Sequence, residues 1–185
     1  RIALTAGDPA GIGPEIVRKA SDDRRVRDAC EPVIFGNYPP QAFTRGELSA
    51  DAGLAAYEAI CEAVAAAQRG EVDAVATAPI NKEAFSQAGL PWKGHTDLLA
   101  HLTGAARAVM MFWSEPLKVI LATVHVPLAE VPSALTGPLV SEVVDITARE
   151  LPRMGVMRPR LALAGLNPHA GEHGLLGLEE QFVLS

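Results

Sequence analysis

Cysteine is scarce: Cys30 and Cys61 are the only two. They cannot build a disulfide framework, and they lack the CxxC spacing of a zinc or redox site. A reducing cytoplasm is the compartment this usage fits. Positive charge is also thin, with 16 basic residues against 22 acidic ones and no Lys/Arg run longer than Arg24-Arg25. The footprint of a nucleic-acid binder is therefore missing, as is a polybasic patch for anionic membranes. Apolar stretches such as Val119 to Val124 fall far short of the ~18 residues of a spanning helix, and no secretory leader is visible. The expectation is a cytoplasmic protein with neither nucleic-acid nor membrane partners.

What is present describes a folding chain. Apolar residues make up 49% and charged residues 21% of the sequence, which excludes a disordered, collagenous or coiled-coil reading. The length suits one large domain or a lobe plus part of a second. Glycine and proline, 16 and 14 residues, exceed the usual share and predict many loops and tight turns. Arg1 stands directly before an apolar strand with no initiator Met, and Leu178–Ser185 reads as the opening of a helix, so the chain is expected to continue.

Apolar runs of strand length recur at Ile2–Ala6, Pro32–Phe35, Asp73–Ala78, Ala108–Trp113, Lys118–Thr123 and Leu161–Ala164. Most are continuous rather than alternating, as in strands buried on both faces, which predicts a mainly parallel sheet. Between them, Leu54, Tyr57, Cys61, Val64 and Gln68 step by three and four, with Ser49 or Asp51 as N-terminal cap and Gly70 beyond the end. A second long helix is expected near Pro138 behind Thr136, and shorter ones at Pro14–Ala29, Lys82–Gln87 and Asp97–Leu102. The fold class is α/β, and such sheets place ligands in loops beyond the carboxyl ends of their strands. Residues 36–48, with Asn37, Pro39-Pro40 and Gly46, read as a linker or the scar of a shortened segment.

Five loops carry polar chemistry. Gly7-Asp8-Pro9-Ala10-Gly11-Ile12-Gly13-Pro14-Glu15 allows close backbone approach by an anion, and equally serves a plain strand-to-helix turn; it matches neither dinucleotide nor nucleoside-triphosphate fingerprints. Lys82, after Pro79-Ile80-Asn81, opposes the dipole of the helix it starts, so either an anion compensates it or it is a solvated surface group. In Gly94-His95-Thr96-Asp97, Thr96 is the expected cap, His95 adds a donor, and the helix start suits a phosphate or carboxylate; an ordinary cap satisfied by Asp97 is the alternative. His125 and His169 follow separate strands and would share one rim of the sheet, where two imidazoles suit a divalent metal and leave positions for substrate oxygens. Each alone is as well read as a hydrogen-bonded structural histidine. His101 and His173 are weaker candidates.

Taken in order, six segments resemble the 4-hydroxythreonine-4-phosphate dehydrogenase (PdxA) family. They are Thr5-Ala6-Gly7-Asp8-Pro9-Ala10-Gly11-Ile12-Gly13-Pro14-Glu15, Gly46-Glu47-Leu48-Ser49-Ala50-Asp51-Ala52-Gly53, Thr77-Ala78-Pro79-Ile80-Asn81-Lys82, Gly94-His95-Thr96, Thr123-Val124-His125-Val126-Pro127-Leu128 and Leu166-Asn167-Pro168-His169-Ala170-Gly171-Glu172. The resemblance covers nearly the whole chain. It implies that His125 and His169 are ligands of a divalent metal (Zn, Mg, Mn or Co) and that His95 and Thr96 contact the substrate. It further implies NAD or NADP as cofactor, a small anionic, phosphorylated hydroxy acid as substrate, and oxidation of a secondary alcohol followed by loss of carbon dioxide. The reaction so implied converts 4-phosphohydroxy-L-threonine to 3-amino-2-oxopropyl phosphate in pyridoxine 5'-phosphate biosynthesis. Paralogues act on 4-phospho-D-threonate or erythronate, or on a dihydrodiol dicarboxylate.

The same resemblance implies a two-lobed, three-layer α/β/α fold like that of isocitrate and isopropylmalate dehydrogenases, paired as a homodimer with its active site shared between subunits. Three departures stand out. The segment between Phe35 and Gly46 is shorter than in the family. The family continues beyond Gly177 with a third metal histidine and with a lysine, an asparagine and an arginine that meet the substrate. His173 stands where a glycine is common. Competing classes are a phosphate acyltransferase-like protein and a non-catalytic binding lobe.

Overall fold

The computed structural model describes residues 1–39 and 41–184; Pro40 of the expected linker and Ser185 of the expected terminal helix lie outside them. The chain forms two compact units, Arg1–Ala108 and Val109–Ser185, a division that the sequence pattern leaves open.

The first unit is built on three strands, β1 (Ile2–Thr5), β2 (Pro32–Phe35) and β3 (Ala74–Thr77), in the order β2-β1-β3 and parallel throughout. Helices α1 (Gly13–Asp22), α2 (Arg24–Ala29), α3 (Ala50–Gln68), α4 (Lys82–Gln87) and α5 (His95–Thr103) accompany it. The helix expected over Pro14–Ala29 is broken at Asp23, whose extended backbone ends α1 while its carboxylate accepts the Arg25 N–H at 2.8 Å and opens α2. The long central helix begins as its sequence predicts, with the Ser49 hydroxyl accepting the Ala52 N–H, and ends before Gly70 at φ +72°.

Alanines line the buried face of α3. Ala63 and Ala66 pack with Ala3 of β1 and Val72, while Ala56, Ile60 and Val64 meet Phe85 of α4 and Leu98 of α5. Small side chains let the helix axis come close to the sheet, so the core is tight rather than bulky. Phe85, Ile60 and Leu98 are its large, fully buried members.

In the second unit β4 (Met110–Trp113) and β5 (Lys118–Leu121) pair antiparallel, Met110 opposite Leu121 and Trp113 opposite Lys118. This corrects the reading of these strands as part of a parallel sheet. Four residues, Ser114 to Leu117, join them, and a parallel return needs a crossover of a dozen or more. The Lys118 ammonium lies over the Trp113 ring, 4.5 Å from its centroid. Helices α6 (Val131–Ala134), α7 (Gly137–Glu150) and α8 (Glu179–Phe182) follow. The Thr136 hydroxyl caps α7 by accepting the Leu139 N–H, as expected. The strand expected at Leu161–Ala164 is absent. Nothing among the described residues forms a ladder with this segment, its residues are exposed, and an unpaired run of N–H and C=O groups does not make a strand.

Candidate active-site loops

In the first unit the loops after β1 and β3 are tied together at the carboxyl edge of the sheet. The Ala78 N–H donates to the Thr5 carbonyl and the Asp8 N–H to the Pro79 carbonyl at 2.9 Å, while the Asp8 carboxylate accepts the Ala10 N–H at 2.9 Å. Two glycines of the first loop are required by this closeness. A Cβ on Gly7, at φ +68°, would stand 2.3 Å from the Pro79 oxygen, and one on Gly13 would stand 2.1 Å from the Ala6 oxygen. Gly11 meets nothing nearer than 3.5 Å, so packing does not demand it. The plain strand-to-helix turn thus accounts for Gly7 and Gly13, and only Gly11 is left to the ligand reading.

Two polar groups near this edge were not singled out by residue pattern. Tyr38 donates its hydroxyl to the Ala55 carbonyl at 3.0 Å; burial, helped by the charges of Asp8, Glu58 and Glu62, pushes its pKa up to about 12, so it stays a neutral donor. Thr5 is wholly buried, and its hydroxyl has no partner among the described residues. An orphaned buried hydroxyl costs stability that an isosteric methyl does not. Thr5→Val is therefore expected to raise unfolding free energy by about 1 kcal/mol, read as a higher urea midpoint at constant slope. A loss of similar size would show that the hydroxyl is satisfied in solution.

His95 is the first residue of α5, and Gly94, not Thr96, is the cap. The expected role of Thr96 is corrected because Asp97 takes it: its carboxylate reaches back to accept the N–H groups of Lys93 and Gly94. Burial alone would push the Asp97 pKa up, but the backbone donors around it outweigh that and hold it low. Thr96 is consequently exposed, and its hydroxyl has no partner among the described residues. The His95 Nε2 is buried and likewise unpartnered. The Lys82 side chain crosses this point, its Cε 3.7 Å from where a Cβ on Gly94 would sit. Lys82, His95 and Thr96 thus gather at one helix start.

Burial pushes the His95 pKa below its ordinary value of 6.5, and the Ala78 carbonyl pulls it partly back. The unfolded chain then takes up a proton at higher pH than the folded one, so stability present above about 6.5 is lost as pH falls through that value. His95→Gln is expected to flatten this part of the profile, measured as a smaller drop in urea midpoint between about pH 7.5 and pH 5.5.

The second unit carries His125 and His169. Among the described residues, five that are not glycine have a left-handed backbone, namely His125, His169, Ala170, Glu172 and His173, all at φ between 45° and 58°. Each such residue costs roughly 1–2 kcal/mol relative to the right-handed region, and strain of this kind persists only where surroundings impose it. That all five lie in the two histidine loops marks those loops as special. Both imidazoles are exposed. No group of three or more His, Cys, Asp or Glu able to hold a metal ion occurs among the described residues. The two histidines have the donor chemistry of a divalent site, yet the described residues do not close one. His101 stacks on Trp92 with centroids 4.4 Å apart, a packing role.

Parallel strands alternating with helices, their loops hydrogen-bonded at the carboxyl edge, define the class of the first unit as α/β. Residues 14–185 match the family described as "Pyridoxal phosphate biosynthetic protein PdxA", and the chain belongs to that family. It is 37% identical over 227 residues to the 4-hydroxythreonine-4-phosphate dehydrogenase of Geobacter metallireducens, covering all of this chain and 66% of the relative. Against the D-threonate 4-phosphate dehydrogenase of Salmonella typhimurium the identity is also 37%, covering all of this chain and 68% of the relative. The crystal structure of 4-hydroxythreonine-4-phosphate dehydrogenase from Klebsiella pneumoniae superposes with a TM-score of 0.88 at 37% identity, covering 99% of this chain and 67% of that one. The chain thus spans about two thirds of the length of these relatives.

Proposed function

We propose that the protein is an NAD(P)-dependent dehydrogenase that oxidises the secondary alcohol of a small phosphorylated hydroxy acid and releases carbon dioxide. The first substrate reading is 4-phosphohydroxy-L-threonine, giving 3-amino-2-oxopropyl phosphate. The relatives named for D-threonate 4-phosphate, at the same identity, favour 4-phospho-D-threonate as the second. The observation that carries the proposal is the start of α5. There, among the described residues, a buried imidazole nitrogen and a threonine hydroxyl without partners and a lysine side chain come together at the carboxyl edge of a parallel sheet.

Anionic groups bind helix starts because first-turn N–H groups and the dipole favour negative charge. In this reading the substrate's phosphate or carboxylate accepts hydrogen bonds from the Thr96 hydroxyl and the His95 ring, and Lys82 supplies the opposite charge. A neutral imidazole has one N–H, so His95 donates to the anion either by turning that N–H away from the Ala78 carbonyl or by taking up a proton on binding. A nicotinamide cofactor, when bound, would supply the acceptor for the alcohol's hydride; the hydroxyl proton would leave to solvent or a base, and the β-keto acid so formed would lose its carboxylate as carbon dioxide and take up a proton at the carbon left behind.

His125 and His169 are assigned to a divalent metal completed by groups outside the described residues. Such an ion, when bound, polarises the substrate oxygen and stabilises the negative charge that oxidation and decarboxylation create. The two-lobed isocitrate/isopropylmalate dehydrogenase-like arrangement, a cytoplasmic location and a homodimer belong to the same proposal. Exposed Phe112, Leu117, Leu128 and Phe182 support a self-associating second unit. The 227-residue match against a 185-residue chain supports a segment shortened relative to the family, assigned here to Phe35–Gly46.

The test is reduction of NAD and of NADP, followed at 340 nm, against a panel of four-carbon phosphates with and without chelator. Cofactor reduction that needs a phosphorylated hydroxy acid and is lost with chelator is the expected result. Phosphate-ester binding without reduction would favour the non-catalytic lobe, and acyl transfer to phosphate the acyltransferase class.

A further inference from the structure

The turn that carries His169 has an unusual support. From His169 through His173 the backbone is left-handed at every residue, a conformation that L residues do not hold by local preference. At the borders of the turn the Ala170 N–H donates to the Asn167 carbonyl, the Leu175 N–H to the Glu172 carbonyl and the Leu176 N–H to the Gly171 carbonyl. Further support comes from Glu180, beyond the turn in sequence. Its Oε1 accepts the Asn167 backbone N–H at 2.7 Å, and its Oε2 accepts the Asn167 side-chain amide at 3.0 Å; Glu179 accepts the same amide nitrogen at 2.7 Å. Charged acceptors make these the stronger kind of hydrogen bond.

The glycines around this carboxylate are shaped to admit it. A Cβ on Gly171 would stand 2.8 Å from Glu180 Oε2 and 2.7 Å from the Gly177 oxygen, while one on Gly165 would stand 3.4 Å from Glu180 Oε1. Gly171 is the buried residue of the turn. A Cβ on Gly177 would strike the Asn167 amide at 2.2 Å. Glycines before, within and after the turn thus leave space that the Asn167–Glu180 pair fills.

We propose that Glu180 is a positioning residue for His169: its carboxylate locks Asn167 and the left-handed turn, and so fixes the direction in which the His169 imidazole is presented. The proposal rests on the assignment of His169 to a metal. It gives Glu180 the part of an outer-shell group that orients a ligand without touching the ion. Outer-shell partners of metal-binding histidines typically change affinity 10–100-fold.

The experiment uses the full chain with Zn²⁺ as probe and the variants Glu180→Ala, Glu180→Gln and His169→Ala. The His169 ring and 167–177 backbone resonances are followed by NMR, amide exchange in β1–β3 reports on folding, and Zn²⁺ affinity is measured by calorimetry. Glu180→Ala is expected to shift the Cα resonances of residues 169–173 toward random-coil values and speed amide exchange at Ala170 and Leu176 at least about tenfold. It should also weaken Zn²⁺ binding about tenfold and leave β1–β3 exchange unchanged. Glu180→Gln keeps an acceptor for the Asn167 N–H but turns a donor toward the Asn167 amide, so it should fall between. Unchanged resonances and exchange in Glu180→Ala overturn the proposal. So does a loosened turn with unaltered Zn²⁺ affinity, if His169→Ala abolishes that affinity. If instead His169→Ala leaves Zn²⁺ affinity intact while Glu180→Ala still frees the turn, the metal assignment fails. Glu180 is then shown to position the imidazole for another purpose.

Discussion

Changing His169 to alanine is expected to lower the turnover rate for cofactor reduction by about 10³-fold, and changing His125 to do the same, if both hold the proposed metal. A metal-stabilised oxyanion contributes several kcal/mol to a transition state, and about 4 kcal/mol corresponds to that factor. The two losses do not add. Ligands of one ion act as a unit, so the double variant should be no slower than about the worse single one. The loss should fall mainly on kcat, whereas Thr96→Ala, at the helix start proposed to bind the substrate anion, should act mainly on KM. His101→Ala, which removes a ring stacked on Trp92, and His173→Ala should stay within about threefold, since neither is assigned to the reaction. Steady-state kinetics of the variants settles the matter. If both single variants at positions 125 and 169 keep more than about a tenth of the wild-type rate, the metal assignment is wrong.

The largest stability effect is expected at Gly53 in α3. A Cβ there would stand 2.3 Å from the Ala84 oxygen, 2.5 Å from its carbonyl carbon and 2.9 Å from the Phe85 nitrogen. All three are backbone atoms of α4, and Phe85 beside them is fully buried against α3 and α5. Nothing flexible is available to yield, so the helices must separate. Gly53→Ala should cost about 3 kcal/mol, at the upper end for overpacking, despite the better helix propensity of alanine. Gly137, at the start of α7, has no atom within 4 Å of its would-be Cβ and no positive φ. Gly137→Ala should therefore gain about 0.5 kcal/mol. Urea midpoints of the pair give the comparison, and a cost below about 1 kcal/mol at Gly53 would mean that α3 and α4 are less closely packed.

Much of the first unit is legible in the amino acids because its signals are local. Continuous apolar runs become β1, β2 and β3 within a residue or two, and Ser49 and Gly70 act at helix ends where their chemistry places them. Lys82–Gln87 is a helix with the bounds its sequence suggests. Where two local signals compete, pattern reading chooses wrongly. Thr96 and Asp97 both suit the start of α5, and the carboxylate wins because it reaches two N–H groups at once. Asp23 likewise ends one helix and begins another.

The second unit is less legible, because strand direction and pairing depend on partners distant in sequence. The apolar runs at Met110–Trp113 and Lys118–Leu121 announce strands without stating their direction, which the short connection decides. Leu161–Ala164 has strand composition and no neighbour to pair with among the described residues. The importance of Glu180 has no local signal either, since its partners Asn167 and Gly171 lie more than two helical turns away along the chain.

By itself, then, the amino-acid order determined the α/β class, the caps of α3 and α7, the family and the histidines worth testing, because composition, periodicity and motif spacing act over a few residues. Only the tertiary structure decided which glycines serve close packing, which hydroxyl and imidazole nitrogen are left without partners, and how the His169 turn is held left-handed. Those are outcomes of excluded volume and hydrogen-bond competition among groups that meet only when the chain has folded.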